Sequence, residues 1–379
     1  KYTNTWNDLT KKMGYWVDME SPYITYEPKY IESVWSLIES LYKKNLIYKG
    51  YTIQPYSPAA GTGLSSHELN LPGCYKSVKD TSVVALFELK KEGGGEFKTN
   101  LPVYFLAWTT TPWTLPANTG LAVGKKINYL VVETFNPYSG KKIAVICAED
   151  RLLSFFKKEN LTKKLQDETF NPKELKYNVI TSLLGEELIG LSYKQLLNFC
   201  EPCFGKENAF VVVGGDFVNT DDGTGIVHMA PTFGADDKRV AEENNIPPML
   251  VLNKEKKPVP IVNEQGRYVS SLTKFAGRFV KKEFDNDKKN EPLDVDIAVL
   301  LKKSGKAFRV EKYEHNYPHC WRTDKPILYY PLSSWFVKTT KHKDALLKFN
   351  DKINWYPSST GEGRFKNWLK NLNDWNLSR

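Results

Sequence analysis

No run of the 379 residues comes near the ~20 consecutive apolar positions that a bilayer-spanning helix requires, which excludes a helical membrane protein. Cysteine is scarce. Cys74, Cys147, Cys200, Cys203 and Cys320 are too few and too scattered for a disulfide scaffold, so a reducing, cytoplasmic setting is expected. The first residues, Lys1 to Trp6, lack the basic-then-apolar layout of a signal peptide. Several chemical motifs are missing too: a Gly-x-x-x-x-Gly-Lys phosphate loop, a dinucleotide glycine fingerprint, a Gly-x-Ser-x-Gly nucleophile elbow and a His-Glu-x-x-His zinc helix. No dense carboxylate cluster marks a catalytic metal, so none is expected. There is no internal repeat and no low-complexity tract.

What is present is a folded composition, 41% apolar, 26% charged and 13% aromatic. At about 150 residues per domain the length holds two to three domains. Lys and Arg number 53 against 44 Asp and Glu, and the net charge of +9 permits a polyanionic partner such as nucleic acid without requiring one. The chain has no initiator Met and stops at Leu377-Ser378-Arg379, so a piece of something longer is expected.

Residues 28–48 read as a helix. Ile31, Val34, Trp35, Ile38, Leu41 and Tyr42 fall on one stripe, with Pro28 at the start and Gly50 after the end. A Pro/Gly/Ser-rich loop follows over 55–67. From about residue 80 the texture turns to strands: 82–89, 102–108, 129–133, 143–147 and 209–213 are short and rich in β-branched or aromatic residues. Turn signals at 93–95, 136–140 and 214–215 separate them. Short helices are expected at 149–158, 235–245 and 294–303, the last closed by Gly305. Many short strands with few long helices point to a β-barrel-like domain, ending near residue 312 where the texture becomes aromatic and mixed.

The most unusual segment is 107–120. Thr109, Thr110, Thr111, Thr114 and Asn118 follow a strand, and Pro112 and Pro116 are expected to keep the backbone irregular. Such groups can orient a water or surround a ribose and an ester carbonyl, although a Thr-rich turn capping its own backbone is the commoner case. A second segment, 221–237, places glycines around a short apolar strand, then His228, then Asp236 and Asp237 at the start of a helix. The helix dipole is expected to hold Asp237 ionised, which suits an ammonium. Equally, Asp is a routine helix-start residue, and a lone His is more often a satisfied buried one. Cys200-Glu-Pro-Cys203 has zinc or redox spacing but no second pair, so both cysteines read as structural.

Taken in order, these segments resemble the isoleucyl-tRNA synthetases among the class I aminoacyl-tRNA synthetases. The resemblance runs through Lys12-Met-Gly-Tyr-Trp-Val-Asp18, Tyr30-Ile-Glu-Ser-Val-Trp35, Pro55-Tyr-Ser57, the Thr-rich loop, His315-Asn-Tyr-Pro-His-Cys-Trp-Arg322 and Asp374-Trp-Asn-Leu-Ser-Arg379. Sibling valyl and leucyl enzymes carry a Thr-Thr-Arg-Pro type of loop, whereas Thr109-Thr-Thr-Pro-Trp113 is the isoleucyl form. The His-x-Gly-His and Lys-Met-Ser-Lys-Ser signatures that bind ATP in this class are both absent. ATP and Mg are therefore expected only for a full-length enzyme, and editing is expected to need no cofactor. Some relatives have cysteines near the Pro55 loop, where this chain has Ser57, Ala59 and Ala60, so no metal carries over.

The resemblance implies an α+β fold, with a β-barrel-like editing domain at 80–312 inserted into pieces of a split α/β (Rossmann-type) catalytic domain at 1–79 and 313–379. It implies hydrolysis of mischarged Val-tRNA at the acceptor end of tRNA(Ile), by a monomer. Asp237 would pair with the substrate's α-ammonium. Thr109, Thr110, Thr111 and Asn118 would contact the terminal adenosine or position water, and His228 would form the wall that blocks isoleucine. Trp113 joins the substrate contacts, although its ring and that of Trp108 read more readily as core aromatics. A non-catalytic tRNA-binding module is the rival reading, in which +9 supplies affinity and the loop is only structural.

Overall fold

The computed structural model describes residues 2–90, 97–285 and 291–377. The expected turn at 93–95 and the last two residues of the C-terminal motif, Ser378 and Arg379, lie outside them. The chain divides into two compact units, Lys1–Gly50 with Ser333–Ser378, and Tyr51–Leu332.

The larger unit is built on two sheets. The strands of these two sheets are β1 (Tyr75–Glu88), β2 (Val103–Thr109), β3 (Gly120–Val123), β4 (Asn128–Phe135), β5 (Lys142–Ala148), β6 (Tyr177–Leu184), β7 (Val211–Gly214), β8 (Ile226–Met229) and β9 (Ala307–Pro318); shorter ones, among them the pair Leu250–Leu252 and Pro258–Pro260, lie outside them. Six of them form one sheet in the order β9-β1-β2-β5-β4-β6, antiparallel except where β2 meets β5. The other three form a second sheet, with β8 antiparallel and β7 parallel to the central β3. Both sheets are open, and no closed barrel exists among the described residues, contrary to the barrel expected from strand number. The paired ladders stop at β9 and β6 because no ladder joins those two strands.

The five expected strands form, four of them within one or two residues of the sequence pattern, while the one expected at 82–89 starts seven residues earlier, at Tyr75. β6 and β9 escape that pattern. β9 reads Arg309-Val-Glu-Lys-Tyr-Glu-His-Asn316, half charged, and is held by eleven-residue pairing with β1 rather than by its own burial. Residues 80 and 312, expected as domain boundaries, pair within this one ladder, Asp80 opposite Tyr313 and Thr81 opposite Lys312.

Both faces of the large sheet are covered. Phe87, Phe105, Ile146, Tyr129 and Val131 point into the main core, joined there by Leu293, Ile297 and Leu301 of the helix Leu293–Lys303. Val84, Leu86, Leu106, Leu130 and Val145 alternate to the other face, against Phe156 and Phe308. Each large apolar side chain so buried contributes about 1.5–3 kcal/mol. Gly305, at φ +67°, follows the helix as its sequence predicts. The expected helix at 149–158 is instead two short turns, Glu149–Arg151 and Leu152–Phe155.

In the smaller unit the helix Pro28–Lys43 starts at its proline as expected, but it ends at Asn45, whose φ of +54° closes it. Gly50 lies inside the strand Ile47–Ser57. No residue of this helix is buried: the face carrying Trp35, Ile38 and Tyr42, with Ile47, Trp335 and Leu377, lines an apolar groove of about 550 Å³.

Candidate functional site

The chain passes from one sheet to the other through the Thr-rich segment. β2 ends at Thr109, opposite Val83, and β3 begins at Gly120, opposite Met229 of β8. Between them Pro112–Ala117 forms a 3-10 helix, not the irregular backbone expected from its prolines. Pro112 sits at the first helical position, where its missing N–H costs nothing, and the turn is short enough to accommodate Pro116.

The crossing walls one side of a cleft of about 420 Å³. Thr109, Thr110, Thr111 and Thr114 line it from the crossing, with Trp108 beside them. Ile226, Val227 and His228 line it from β8, and Phe233, Gly234 and Asp237 from the start of the helix Ala235–Glu243. The Thr-rich segment and a second segment more than a hundred residues further along the chain, 226–237, thus face one space.

The threonine wall is tied together by its own hydroxyls. Thr109 Oγ1 lies 3.2 Å from Thr111 Oγ1 and accepts from the Thr111 N–H at 3.1 Å. Thr114 donates its hydroxyl proton to the Thr111 carbonyl at 2.8 Å, so its oxygen must accept from His228 Nε2, 2.9 Å away. That assigns the Nε2–H tautomer and leaves Nδ1 to accept, at 3.4 Å, from Asn118 Nδ2. Burial lowers His228 to about 4, so the ring is neutral at pH 7. Asn118 lies behind the ring rather than on the cleft: it donates to the Gly120 and Met229 carbonyls and accepts from the Tyr193 hydroxyl at 2.7 Å.

Asp237 stands on the other wall. Its Oδ2 accepts from the Ala230 N–H at 2.9 Å. The carboxylate packs so closely over Gly234 that a side chain there would collide with it. The sequence reading expected the helix dipole to dominate here, but burial outweighs it. Burial raises Asp237 to about 6, the Ala230 N–H pulling the other way and Asp236 adding to the rise. It remains mostly ionised at pH 7.

Trp113, expected among the substrate contacts, does not line the cleft. It is 3% exposed and its ring meets Phe233 edge-on at 5.2 Å, because a large apolar ring at the first turn of the crossing finds the core directly beneath. Trp108, read as core, lines the cleft and stacks edge-on with Tyr313 at 5.0 Å. The thiols of Cys200 and Cys203 are both raised by burial, Cys200 to about 12, and the Cys200 carbonyl accepts from Gln195. Among the described residues no group of three or more His, Cys, Asp or Glu could hold a metal ion.

Sequence reasoning missed the residues that hold the crossing from behind. Asp294, 5% exposed, accepts from the Trp113 N–H at 2.8 Å, and Tyr268 donates to the Trp113 carbonyl at 2.5 Å. Burial pushes Asp294 up to about 7 against the pull of Lys281 and the Trp113 N–H. Lys281, itself 6% exposed, sits 2.9 Å from Asp80 and 3.9 Å from Asp294. Burial opposes its charge, but Tyr317, Asp294 and Asp80 together raise it above the ordinary lysine value. An aspartate beside the apolar residues that the helix buries, at the end of Glu291-Pro-Leu-Asp294, was the available signal.

Comparison with known proteins bears on all of this. The family described as tRNA synthetases class I (I, L, M and V) matches residues 1–379. The isoleucine–tRNA ligase of Cytophaga hutchinsonii is 53% identical over 391 residues, covering 100% of this chain and 35% of the relative. That of Porphyromonas gingivalis is 52% identical over 399 residues, again covering 35% of the relative. The Clostridium novyi ligase is 41% identical and is covered over 31% of its length. The chain thus spans about a third of the curated relatives it matches. Among solved structures, one described as GlLeuRS-CP1 aligns with TM-score 0.40 and 16% identity, covering 62% of this chain and 100% of that one. The editing domain of the Plasmodium knowlesi cytosolic leucyl-tRNA synthetase aligns with TM-score 0.38 and 12% identity, over 62% of this chain and 97% of that one.

Proposed function

The chain belongs to the class I tRNA synthetases of the isoleucine, leucine, methionine and valine group, and from that premise we propose that its Tyr51–Leu332 unit edits, hydrolysing valine from mischarged tRNA(Ile). The observation that carries this reading is the convergence of a neutral wall, Thr109 to Thr114 with His228, and the partly buried carboxylate of Asp237 on one cleft, whose other carboxylate, Asp222, is bonded to the Tyr313 hydroxyl.

An aminoacyl ester needs little help to hydrolyse beyond a placed water, a held substrate and a stabilised oxyanion. Asp237 would take the α-ammonium and so fix the ester beside the threonine hydroxyls. Those hydroxyls would orient the water and donate toward the developing oxyanion. Water adds to the carbonyl carbon, the bond from that carbon to the ribose oxygen then breaks, and the ribose oxygen leaves with a proton. His228, neutral and gripped at both nitrogens, would close the side-chain end of the cleft. A pocket sized for isoleucine can reject valine by only about 1–3 kcal/mol, the isoleucine–valine pair being the standard case, so a second site that excludes by size is the remedy.

In the full-length protein the flanking segments would belong to a Rossmann-type catalytic domain that charges tRNA(Ile) with isoleucine, using ATP and Mg at signatures this chain does not contain. The acceptor end of that tRNA is the proposed partner, drawn in part by the +9 charge. A monomer acting in the cytoplasm is proposed, and no helix among the described residues is long and apolar enough to cross a membrane.

The test is hydrolysis of pre-formed Val-tRNA(Ile) and Ile-tRNA(Ile) without ATP. Valine released much faster than isoleucine supports editing. Tight binding of both with release of neither supports a binding module instead.

A further inference from the structure

The turn that carries the threonines lacks its expected cap. Thr111 is the N-cap residue of Pro112–Ala117, the position where a threonine side chain ordinarily accepts from the second or third backbone N–H of the helix. Here it makes no such bond. Its hydroxyl points instead at Thr109 Oγ1, 3.2 Å away, and Thr114 Oγ1, 3.4 Å away. The two N–H groups it would have served are taken elsewhere. Thr114 N–H bonds the Thr111 carbonyl at 2.9 Å, and Trp113 N–H bonds Asp294 at 2.8 Å, from 181 residues away in sequence.

We propose that Asp294 is a positioning residue for the hydrolytic site: it caps the turn from outside, which releases the Thr111 hydroxyl into the cleft. This rests on the editing reading above. Three features hold Asp294 to the task. It leaves the helix Leu293–Lys303 at its second residue, so its backbone is rigid. The Lys281 ammonium, 3.9 Å away, opposes loss of its charge. Lys281 is in turn anchored by Asp80 at 2.9 Å and by the Tyr317 ring at 4.6 Å, while His315 bonds Asp80 from β9 at 3.2 Å. The buried ion cluster thus ends on a single backbone amide of the catalytic turn. The Tyr268 hydroxyl grips the carbonyl of the same residue, so Trp113 is fixed at both its peptide groups.

Without the external acceptor, Trp113 N–H would be a buried donor with no partner, and the nearest remedy is the Thr111 side chain turning back into the capping position. The site would then lose one of its hydroxyls without losing a residue. Asp294→Ala is expected to lower kcat for Val-tRNA(Ile) hydrolysis by about tenfold or more with little change in KM, as a misplaced group does. Asp294→Asn, which retains the accepting oxygen, is expected to recover most of that loss. Because Asp294 acts through Thr111, the double variant Asp294→Ala/Thr111→Ala is expected to be no slower than Thr111→Ala alone. A crystal structure of Asp294→Ala is expected to show the Thr111 hydroxyl within hydrogen-bond distance of Trp113 N, a readout that does not depend on hydrolysis. Losses that multiply in the double variant, or a Thr111 side chain that stays in place, would overturn the proposal. An inactive wild-type chain with the Thr111 shift present in the variant would overturn the editing reading and leave the capping role standing.

Discussion

The two walls of the cleft differ in kind. On the wall from Thr109 to Thr114 and His228, the polar side chains are largely satisfied within the protein: Thr114 by Thr111 and His228, and His228 by Thr114 and by Asn118, which stands behind the ring and is itself held by Tyr193 and two carbonyls. On the wall at the start of the helix Ala235–Glu243 stands one carboxylate whose hydrogen bond among the described residues is to Ala230 N–H. The first wall is neutral and tied together by its own hydrogen bonds, and under the proposed function it would give the cleft its shape and place the water. The second keeps an underused charge, which under the same proposal would take the ammonium. A partly buried carboxylate with one amide partner is costly to maintain, and such a cost persists where a ligand completes the site.

This contrast can be broken first at the charge. Asp237→Ala is expected to slow Val-tRNA(Ile) hydrolysis by about 100-fold or more, since it leaves the substrate ammonium without its counter-charge. A deacylation assay on folded variant, checked by circular dichroism, decides it. Breaking the neutral wall costs discrimination instead. Thr114→Ala removes the oxygen that accepts from His228 Nε2, and the valine-over-isoleucine rate ratio is expected to fall by about tenfold, the worth of a methylene's exclusion.

The pH profile separates the walls without a substitution. Asp237 is raised to about 6, so hydrolysis is expected to fall toward tenfold per pH unit below 6, while His228, lowered to about 4, stays mostly neutral between pH 5 and 7. A rate that is flat between pH 5 and 7 would deny the carboxylate its role.

Stability responds with opposite signs. Asp237 binds its proton more tightly folded than unfolded, so between pH 3.8 and about 6 its contribution to stability falls as pH rises. His228 binds its proton less tightly folded, so between about 4 and 6.5 its contribution rises with pH. Asp237→Asn is therefore expected to stabilise the chain at pH 7.5 by on the order of 1 kcal/mol, reduced from the full shift by solvent screening, and to change little at pH 4. Thermal melts at the two pH values measure this. Smallest of all, Cys200→Ser lies on neither wall and is expected to leave the rate ratio unchanged.

Much of this was legible in the chain itself, for local reasons. The apolar runs at 102–108 and 143–147 announce strands because both sheet faces bury them, and the Thr-rich segment stands out against any ordinary turn. What escaped was long-range. β9 has the charge pattern of a surface loop and is a strand only because β1 pairs with it. Asp294 looks like helix-start punctuation until the fold brings Trp113 to it, and of two tryptophans that both read as core, Trp108 and not Trp113 reaches the cleft because only the crossing geometry decides which ring faces it. The helix Pro28–Lys43 shows the reverse failure: its apolar stripe is plain in sequence, yet Trp35 remains 64% exposed. A stripe predicts a face to be covered, not what covers it.

The division of labour between the walls is tested most directly by removing the ion from the substrate instead of the protein. Wild type and Asp237→Ala would be compared on Val-tRNA(Ile) and on the analogue whose α-ammonium is replaced by a hydroxyl. A large loss from the substitution on the amino ester, and little or none on the hydroxy ester, is the predicted result. Equal losses on both esters would contradict it, placing Asp237 in the handling of water or in the fold rather than on the ammonium.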